Sequence, residues 1–380
     1  MPDQSPTLSP DIRPATPDDA DALADLEKRC FDSDRISRRQ FRYLLTRGNA
    51  SVLLAEIDGE LVGDVVLLYS RGTSVARMYS LGVDPAMRGR QLGRALIKAA
   101  EAEAWKHERA YLRLEVRKDN IPAIRLYESM GYHRFGELPE YYQDHMDAWR
   151  FEKTLAPDLI PSLRPMPWYE QTLEFTCGPA SLMMAMGSLR PELTLNRKLE
   201  LRLWREATTI FMTAGHGGCG PYGLAIAAAR RGFRVEVYVT NEGVHLIDSV
   251  RSEEKKEVMG LVQEDMAEEL RALGVPITIG ALNVEEMEEI FHKGGVPLVL
   301  ISSWMIYGEK FPHWVVVAGF DDSFVYVNDP YVDHEQGETP MDSIHMPIHR
   351  VQFEQMARYG RVGLKSAVVV YPERTACKSR

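Results

Sequence analysis

The chain has 380 residues, more than one hydrophobic core usually serves, so two domains are expected. Its 45% hydrophobic and 26% charged residues exclude a disordered chain, a collagen-like chain and a coiled coil, and no apolar run reaches the roughly 18 residues that span a bilayer. The net charge of −10 argues against nucleic acid as a partner; 23 basic against 25 acidic residues lie through Leu155 and 22 against 30 beyond it, so the acidity is mainly in the second half.

Residues 1–10 read as a loose polar tail with no signal-peptide pattern, and a cytoplasmic protein is expected. Ile12 to Ala15 is a short strand, and Pro17-Asp18-Asp19 starts a helix through Cys30. Ser51 to Ile57 and Leu61 to Tyr69 are strands joined by the hairpin signal Asp58-Gly59, and Val75 to Val83 is the next strand. Leu92, Ala95, Leu96 and Ala99 mark one face of a long helix. Tyr111 to Val116 is a strand and Pro122 to Met130 a helix closed by Gly131. Tyr132 to Glu137 and Ala148 to Leu155 complete a first domain over residues 11–155.

Residues 156–167 hold four prolines and read as an extended linker. A second domain over 168–373 opens with an apolar helix, Cys177 to about Leu189. Pro221 to Arg231 and Glu253 to Leu273 are helices, with a strand from Arg234 to Val239. Pro276 to Ile279, Pro297 to Ser302, Trp314 to Phe320 and Phe324 to Val327 are strand-like, and residues 374–380 are a tail. Helices first and strands later suggest an α+β layout.

In the first domain a strand ends at Val83 and a helix begins near Leu92, with a basic turn between. Free N–H groups at a helix start bind phosphate, and glycines let the backbone approach. The turn is followed by Leu114-Glu115-Val116-Arg117-Lys118-Asp119-Asn120, then Ala123, Leu126-Tyr127 and Gly131-Tyr132. Residues 11–155 thus resemble the GNAT acetyltransferases, especially the ribosomal-protein-alanine N-acetyltransferases. The resemblance implies a mixed sheet flanked by helices, with acetyl-CoA as co-substrate and a protein or peptide amine as acceptor. It also assigns residues. Leu81, Gly82 and Val83 would pair with the pantetheine arm, and Arg88, Gly89, Arg90, Gln91, Leu92, Gly93 and Arg94 would cradle the pyrophosphate. Asn120 would contact the cofactor, Glu115 would be the general base and Tyr127 the general acid. The Tyr141-Tyr142 loop would hold the acceptor. Gln91 stands where the family usually has Gly, and its side chain is expected to crowd the cradle.

In the second domain Cys177 starts an apolar helix, a position that favours a thiolate. Gln171 precedes it by six residues and can share an oxyanion hole. His313 stands at the mouth of an apolar strand, and Asp329 ends the following strand and can orient the imidazole. The order Gln171, Cys177, His313, Asp329 resembles the papain-like peptidases, and the local strings resemble the bacteriocin-processing peptidases that cut after a double glycine. The resemblance implies a papain-like fold and a metal-free cysteine peptidase. Thr176 stands where that family usually has an acidic residue.

Four cysteines are too few for a disulfide framework, and none has zinc-ligand spacing. Cys219, near His216, is a weaker nucleophile candidate; Cys30 and Cys377 read as structural and tail thiols. Pro347 between His345 and His349 argues against a metal pair on one helix. The chain therefore reads as a fusion of an α/β N-acetyltransferase and an α+β cysteine peptidase. Its second domain can alternatively be a non-catalytic peptide-binding module, and its acceptor a small-molecule amine. No membrane association is expected, and the oligomeric state is left open.

Overall fold

The computed structural model describes residues 10–156, 159–208, 217–247, 250, 252–334, 338–360 and 363–373. His216 and Cys377 lie outside the described residues. The chain divides into two compact units, Met1–Ser70 with Ser74–Asp158 and Arg71–Thr73 with Leu159–Arg380. Among the described residues no helix is long and apolar enough to cross a membrane.

The strands of the first unit are β1 (Asp11–Pro14), β2 (Ala50–Ile57), β3 (Glu60–Tyr69), β4 (Val75–Val83), β5 (Tyr111–Arg117), β6 (His133–Leu138) and β7 (Ala148–Thr154). They form one sheet in the order β1-β2-β3-β4-β5-β7-β6. Asp58 and Gly59 turn the β2–β3 hairpin at φ 52° and 81°, the left-handed pair that a tight hairpin needs. The helices are α1 (Ala20–Cys30), α2 (Arg38–Thr46), α3 (Leu92–Lys106) and α4 (Ile121–Ser129). Leu92, Leu96, Ile97 and Ala100 of α3 pack with Leu53, Val65, Leu112 and Leu114 on one face of the sheet. Leu23 and Phe41, from α1 and α2, pack with Val52, Leu54 and Val66 on the other. Burying a side chain such as Leu96 completely contributes about 2 kcal/mol. Helix α2 is not marked in the sequence by its apolar spacing. It is started by a capping box between Ser37 and Gln40.

One irregularity shapes this sheet. Strands β4 and β5 pair in parallel only over Val75–Met78 and Tyr111–Leu114. Beyond Met78 the ladder between them ends, while β4 stays paired to β3 through Val83. A register shift opposite Val66 and Leu67 leaves Tyr79 as an extra residue at the parting point.

In the second unit the strands are β8 (Ser162–Leu163), β9 (Phe233–Val239), β10 (Ile277–Ile279), β11 (Val296–Ser302), β12 (Pro312–Phe320), β13 (Phe324–Asn328), β14 (Met346–His349) and β15 (Ser366–Glu373). Their order is β10-β9-β15-β11-β12-β13-β14, with β8 on β12. The β9–β10 pair is parallel and the other pairs are antiparallel. The helices are α5 (Cys177–Leu189), α6 (Arg197–Ala207), α7 (Pro221–Ala229), α8 (Glu253–Ala272), α9 (Val284–His292), α10 (Trp304–Tyr307), α11 (Pro340–Ser343) and α12 (Arg350–Met356). Side chains of β12 alternate: Trp314 and Val316 enter the core with α5, α6 and α7, whereas Val315 and Val317 face α9 and α12. Helix α5 is apolar all round because Cys177 to Gly187 are all buried. Helices α6 and α7 cross closely at Gly223, where a Cβ would lie 2.2 Å from the Ala207 carbonyl oxygen.

The second unit differs from the sequence expectation in two ways. The apolar run Ser366–Glu373 is an inner strand, between β9 and β11. Part of the proline-rich segment is also paired, since Ser162–Leu163 joins β12 and Arg164 N–H donates to the Ala318 carbonyl at 2.8 Å.

Candidate active sites

The parting of β4 and β5 positions the first candidate site. Leu81, Gly82 and Val83 lie on β4 past the last β4–β5 pair, so the edge that faced β5 is released from the ladder. Gly82 is required where it stands: a Cβ there would lie 2.5 Å from Asp64 Oδ1. Asp64 is wholly buried with both carboxylate oxygens unpartnered. Burial first, then the charge of Glu27, pushes its carboxyl well above the usual range. Beside it burial pushes the Cys30 thiol up to about 12, so this thiol is inert.

The turn after β4 is exposed at Arg88, Gly89, Arg90 and Gln91. Arg88 is anchored to the Val83 carbonyl (3.3 Å), and Arg94 donates to Ser129 Oγ (2.7 Å). Leu92 is buried as the first residue of α3, and Gly93 lies close to Leu126. Gln91 is the N-cap residue of α3 and adopts φ 64°. The cost of a side chain here is therefore backbone strain, and the side chain itself is exposed. A helix start with free amides, two glycines and two exposed arginines fits a pyrophosphate. Asn120 is exposed, and its Oδ1 caps α4 by accepting from Ala123 N–H at 3.3 Å.

Glu115 and Tyr127 approach the parted strands from opposite faces. Leu112, Leu114 and Val116 enter the α3 core, so Glu115 points to the other side. Its carboxylate accepts from Arg77 Nε at 3.0 Å, and Arg77 Nη2 donates to Tyr141 Oη at 2.7 Å. Tyr127 belongs to the α3 core, edge-on to Tyr132 at 5.8 Å, and burial raises its phenol so that it is held protonated. Tyr142 is raised by burial, then by Tyr141, Glu115 and Tyr127, which places it near both. Arg77 escaped the sequence reading; its signal was an arginine inside an otherwise apolar strand.

In the second unit three distant segments converge. His313 Nε2 lies 2.7 Å from Asp329 Oδ1, with His313 2% and Asp329 0% exposed. Burial opposes the charged ring, but the charge and hydrogen bond of Asp329, then Cys177, outweigh it and push His313 up to about 10. Cys177 begins α5 as expected, yet it is 8% exposed, more enclosed than a sulfur at a helix start need be. Gln171 is held next to Asp329 because its N–H donates to the Pro330 carbonyl at 2.8 Å. Its side-chain amide turns to its own loop: Nε2 donates to the Leu173 carbonyl (2.9 Å), and Oε1 is buried without a partner. Trp168 Nε1 donates to the Asp329 carbonyl at 2.9 Å.

Thr176 does not leave an acidic role empty. Its hydroxyl donates to Glu200 of α6, wholly buried, which also accepts from Tyr169 Oη (2.9 Å) and from Thr172 N–H (2.8 Å) and Oγ1 (2.7 Å). One carboxylate thereby clamps the segment that carries Gln171 and Cys177. Cys219 is buried, and burial first, then Cys177, pushes its thiol well up, which removes it as a nucleophile. His349 lies on β14 just after Pro347, so no helix joins it to His345. Among the described residues no three His, Cys, Asp or Glu side chains are grouped to hold a metal.

Comparisons with known proteins cover both units. Residues 166–371 match the model of the Peptidase_C39 like family, and residues 20–132 match the acetyltransferase (GNAT) family. An uncharacterized N-acetyltransferase of Methanocaldococcus jannaschii is 33% identical over 138 residues, 36% of this chain and 86% of that protein. A putative ribosomal-protein alanine N-acetyltransferase of Bacillus subtilis is 29% identical over 128 residues, 34% of this chain and 83% of that protein. The crystal structure of an Escherichia coli ribosomal-protein-alanine N-acetyltransferase aligns with a TM-score of 0.36 and 25% identity, covering 40% of this chain and 99% of that one. GNAT enzymes use acetyl-CoA, and this first unit does so too. The chain belongs to two families at once: its first unit is a GNAT acetyltransferase, and its second is a member of the Peptidase_C39 like family.

Proposed function

We propose that the chain is bifunctional: residues 11–155 acetylate the α-amine of a protein or peptide, residues 168–373 cleave peptide bonds, and 156–167 join them. The observation that carries the second activity is the convergence of Cys177, His313 and Asp329. The Bacillus subtilis relative, named for a ribosomal-protein alanine, supports a protein acceptor.

Acetyl-CoA supplies an activated acetyl thioester. Leu81, Gly82 and Val83 offer backbone groups to its pantetheine arm, the turn from Arg88 to Arg94 meets its pyrophosphate, and Asn120 lies at the same end. Glu115 takes the proton of the acceptor ammonium, with Arg77 and Tyr141 holding the carboxylate in place. Tyr127 gives its proton to the leaving sulfur, a task suited to a phenol kept neutral by burial. In the second unit Cys177 attacks the peptide carbonyl, His313 carries the proton to the leaving amine, and Asp329 orients the ring. Gln171 contributes to the oxyanion hole through its second amide hydrogen, once Leu173 has taken the first.

Hydrolysis creates a new α-amine, which is the group the first unit would acetylate. Mass spectrometry of a candidate peptide incubated with and without acetyl-CoA tests both steps. Cleavage that persists in Cys177→Ala rules out the peptidase reading. The enclosure of Cys177 and the engaged Gln171 amide favour one other reading, a second unit that binds peptide without cutting it. A thiol-reactive peptide probe that leaves Cys177 unlabelled at about neutral pH selects that reading.

A further inference from the structure

Asp329 does more than face His313. Its Oδ1 also accepts from Tyr331 N–H at 2.8 Å, and its Oδ2 accepts from Tyr307 Oη at 2.9 Å. Tyr307 ends the four-residue helix α10, which Gly308 closes at φ 73°. The loop beyond is bolted at its base, since Phe311 N–H donates to Oγ of buried Ser303 at 3.1 Å. The Tyr307 ring stacks on Phe311 and stands edge-on to His313, with centroids 6.2 and 6.0 Å apart. The hydroxyl is therefore aimed, not merely close.

We infer that Tyr307 is a positioning residue of the Cys177 site: its hydroxyl shares the charge of Asp329 and so sets how firmly Asp329 holds the proton of His313. This rests on the peptidase reading above. A buried carboxylate needs hydrogen-bond partners, and Tyr307 provides one of the three that Asp329 has here, beside His313 and the Tyr331 N–H. The titratable groups around Asp329 are His313 from β12, Cys177 from α5, Tyr307 from α10, Asp342 from α11, and Tyr331, Asp333 and Glu338 from the segment between β13 and α11. Burial first, then Asp342, Asp329 and Asp333, pushes Glu338 up to about 8, so it is charged by the His313 midpoint in the wild type and in the Tyr307 variant alike.

The test needs no peptide substrate. Iodoacetate and iodoacetamide alkylate the same sulfur, but only the anionic reagent is favoured by an adjacent imidazolium. The ratio of their rates at Cys177 in the full chain, followed from about pH 6 to about 11, titrates His313. The wild type should show a midpoint near 10. Tyr307→Phe keeps the ring and removes the hydroxyl; Asp329 then holds the His313 proton more tightly, and the midpoint rises by roughly one pH unit. In Asp329→Asn the midpoint drops toward the ordinary histidine range, and adding Tyr307→Phe moves it no further. An unmoved or lowered midpoint in the single variant, or a second shift in the Asn background, overturns the role of Tyr307 alone. A wild-type ratio that does not change with pH overturns the Cys177–His313 pair and the peptidase reading with it.

Discussion

His313 binds its proton up to about 10, against 6.5 for an ordinary histidine, because Asp329 and Cys177 outweigh the penalty of burial. The folded state thus holds this proton more tightly than the unfolded chain does. The resulting stabilisation is complete below about 6.5 and is lost as pH rises through about 10. The urea midpoint of the second unit should therefore fall over that window, and His313→Gln should flatten the decline. An equal slope in the two proteins would remove His313 as its cause. Gln91 is a second residue whose energetics are read from one number. At φ 64° a side chain costs more than glycine does, so Gln91→Gly should stabilise the first unit by up to about 1 kcal/mol in urea unfolding. The missing glycine marked this position in the sequence, and the backbone angle adds a strain that the residue pattern does not display.

Two elements carry the sites on unusual supports. Strands β3 and β4 meet at Asp64 and Gly82 with no room for a methyl group between them. Gly82→Ala should cost about 1–3 kcal/mol and raise the KM for acetyl-CoA; Asp64→Ala in the same chain should recover part of both. Steady-state acetylation and thermal unfolding measure the two effects. Helix α6 supports the other site through Glu200. Glu200→Ala strands four side-chain or backbone donors and should destabilise the second unit by about 3 kcal/mol, with acetyl transfer unchanged. Legibility differed between elements for physical reasons. Helix α5 and strands β2 to β5 announced themselves by apolar pattern and turn residues. Helix α2 has Phe41 as its one buried residue, so its apolar spacing carried little signal. The clamp at Glu200 was invisible because Thr172, Thr176 and Glu200 are joined only by tertiary packing. The positions of Cys177 and His313 were legible, since each lies at the start of a regular element, whereas Tyr307 on a single-turn helix was not.

For the whole molecule, the two units have separate cores, so acetyl transfer and the proposed peptide cleavage should be separable. Cys177→Ala should abolish peptide cleavage and leave acetylation of a peptide with a free α-amine at the wild-type rate. If acetylation of the intact, uncut substrate is also unchanged, the two steps are not coupled through cleavage. The composition already required more than one core in 380 residues, and the near-neutral charge of the first half fits a unit that meets an anionic co-substrate through a local basic turn.

Strand β15 lies between β9 and β11, and Tyr371 donates to Glu236 across that seam from 135 residues away. On the ribosome this gives the molecule a timetable. The first unit can finish folding while the second still lacks the strand that joins its two sub-sheets, because long-range pairings form last. A chain released at Lys365 should keep acetyl transfer and present an open, sticky half-sheet instead of a Cys177 site. The proposed proteolytic competence would thus be withheld from the nascent chain until Ser366–Glu373 has emerged, by topology alone.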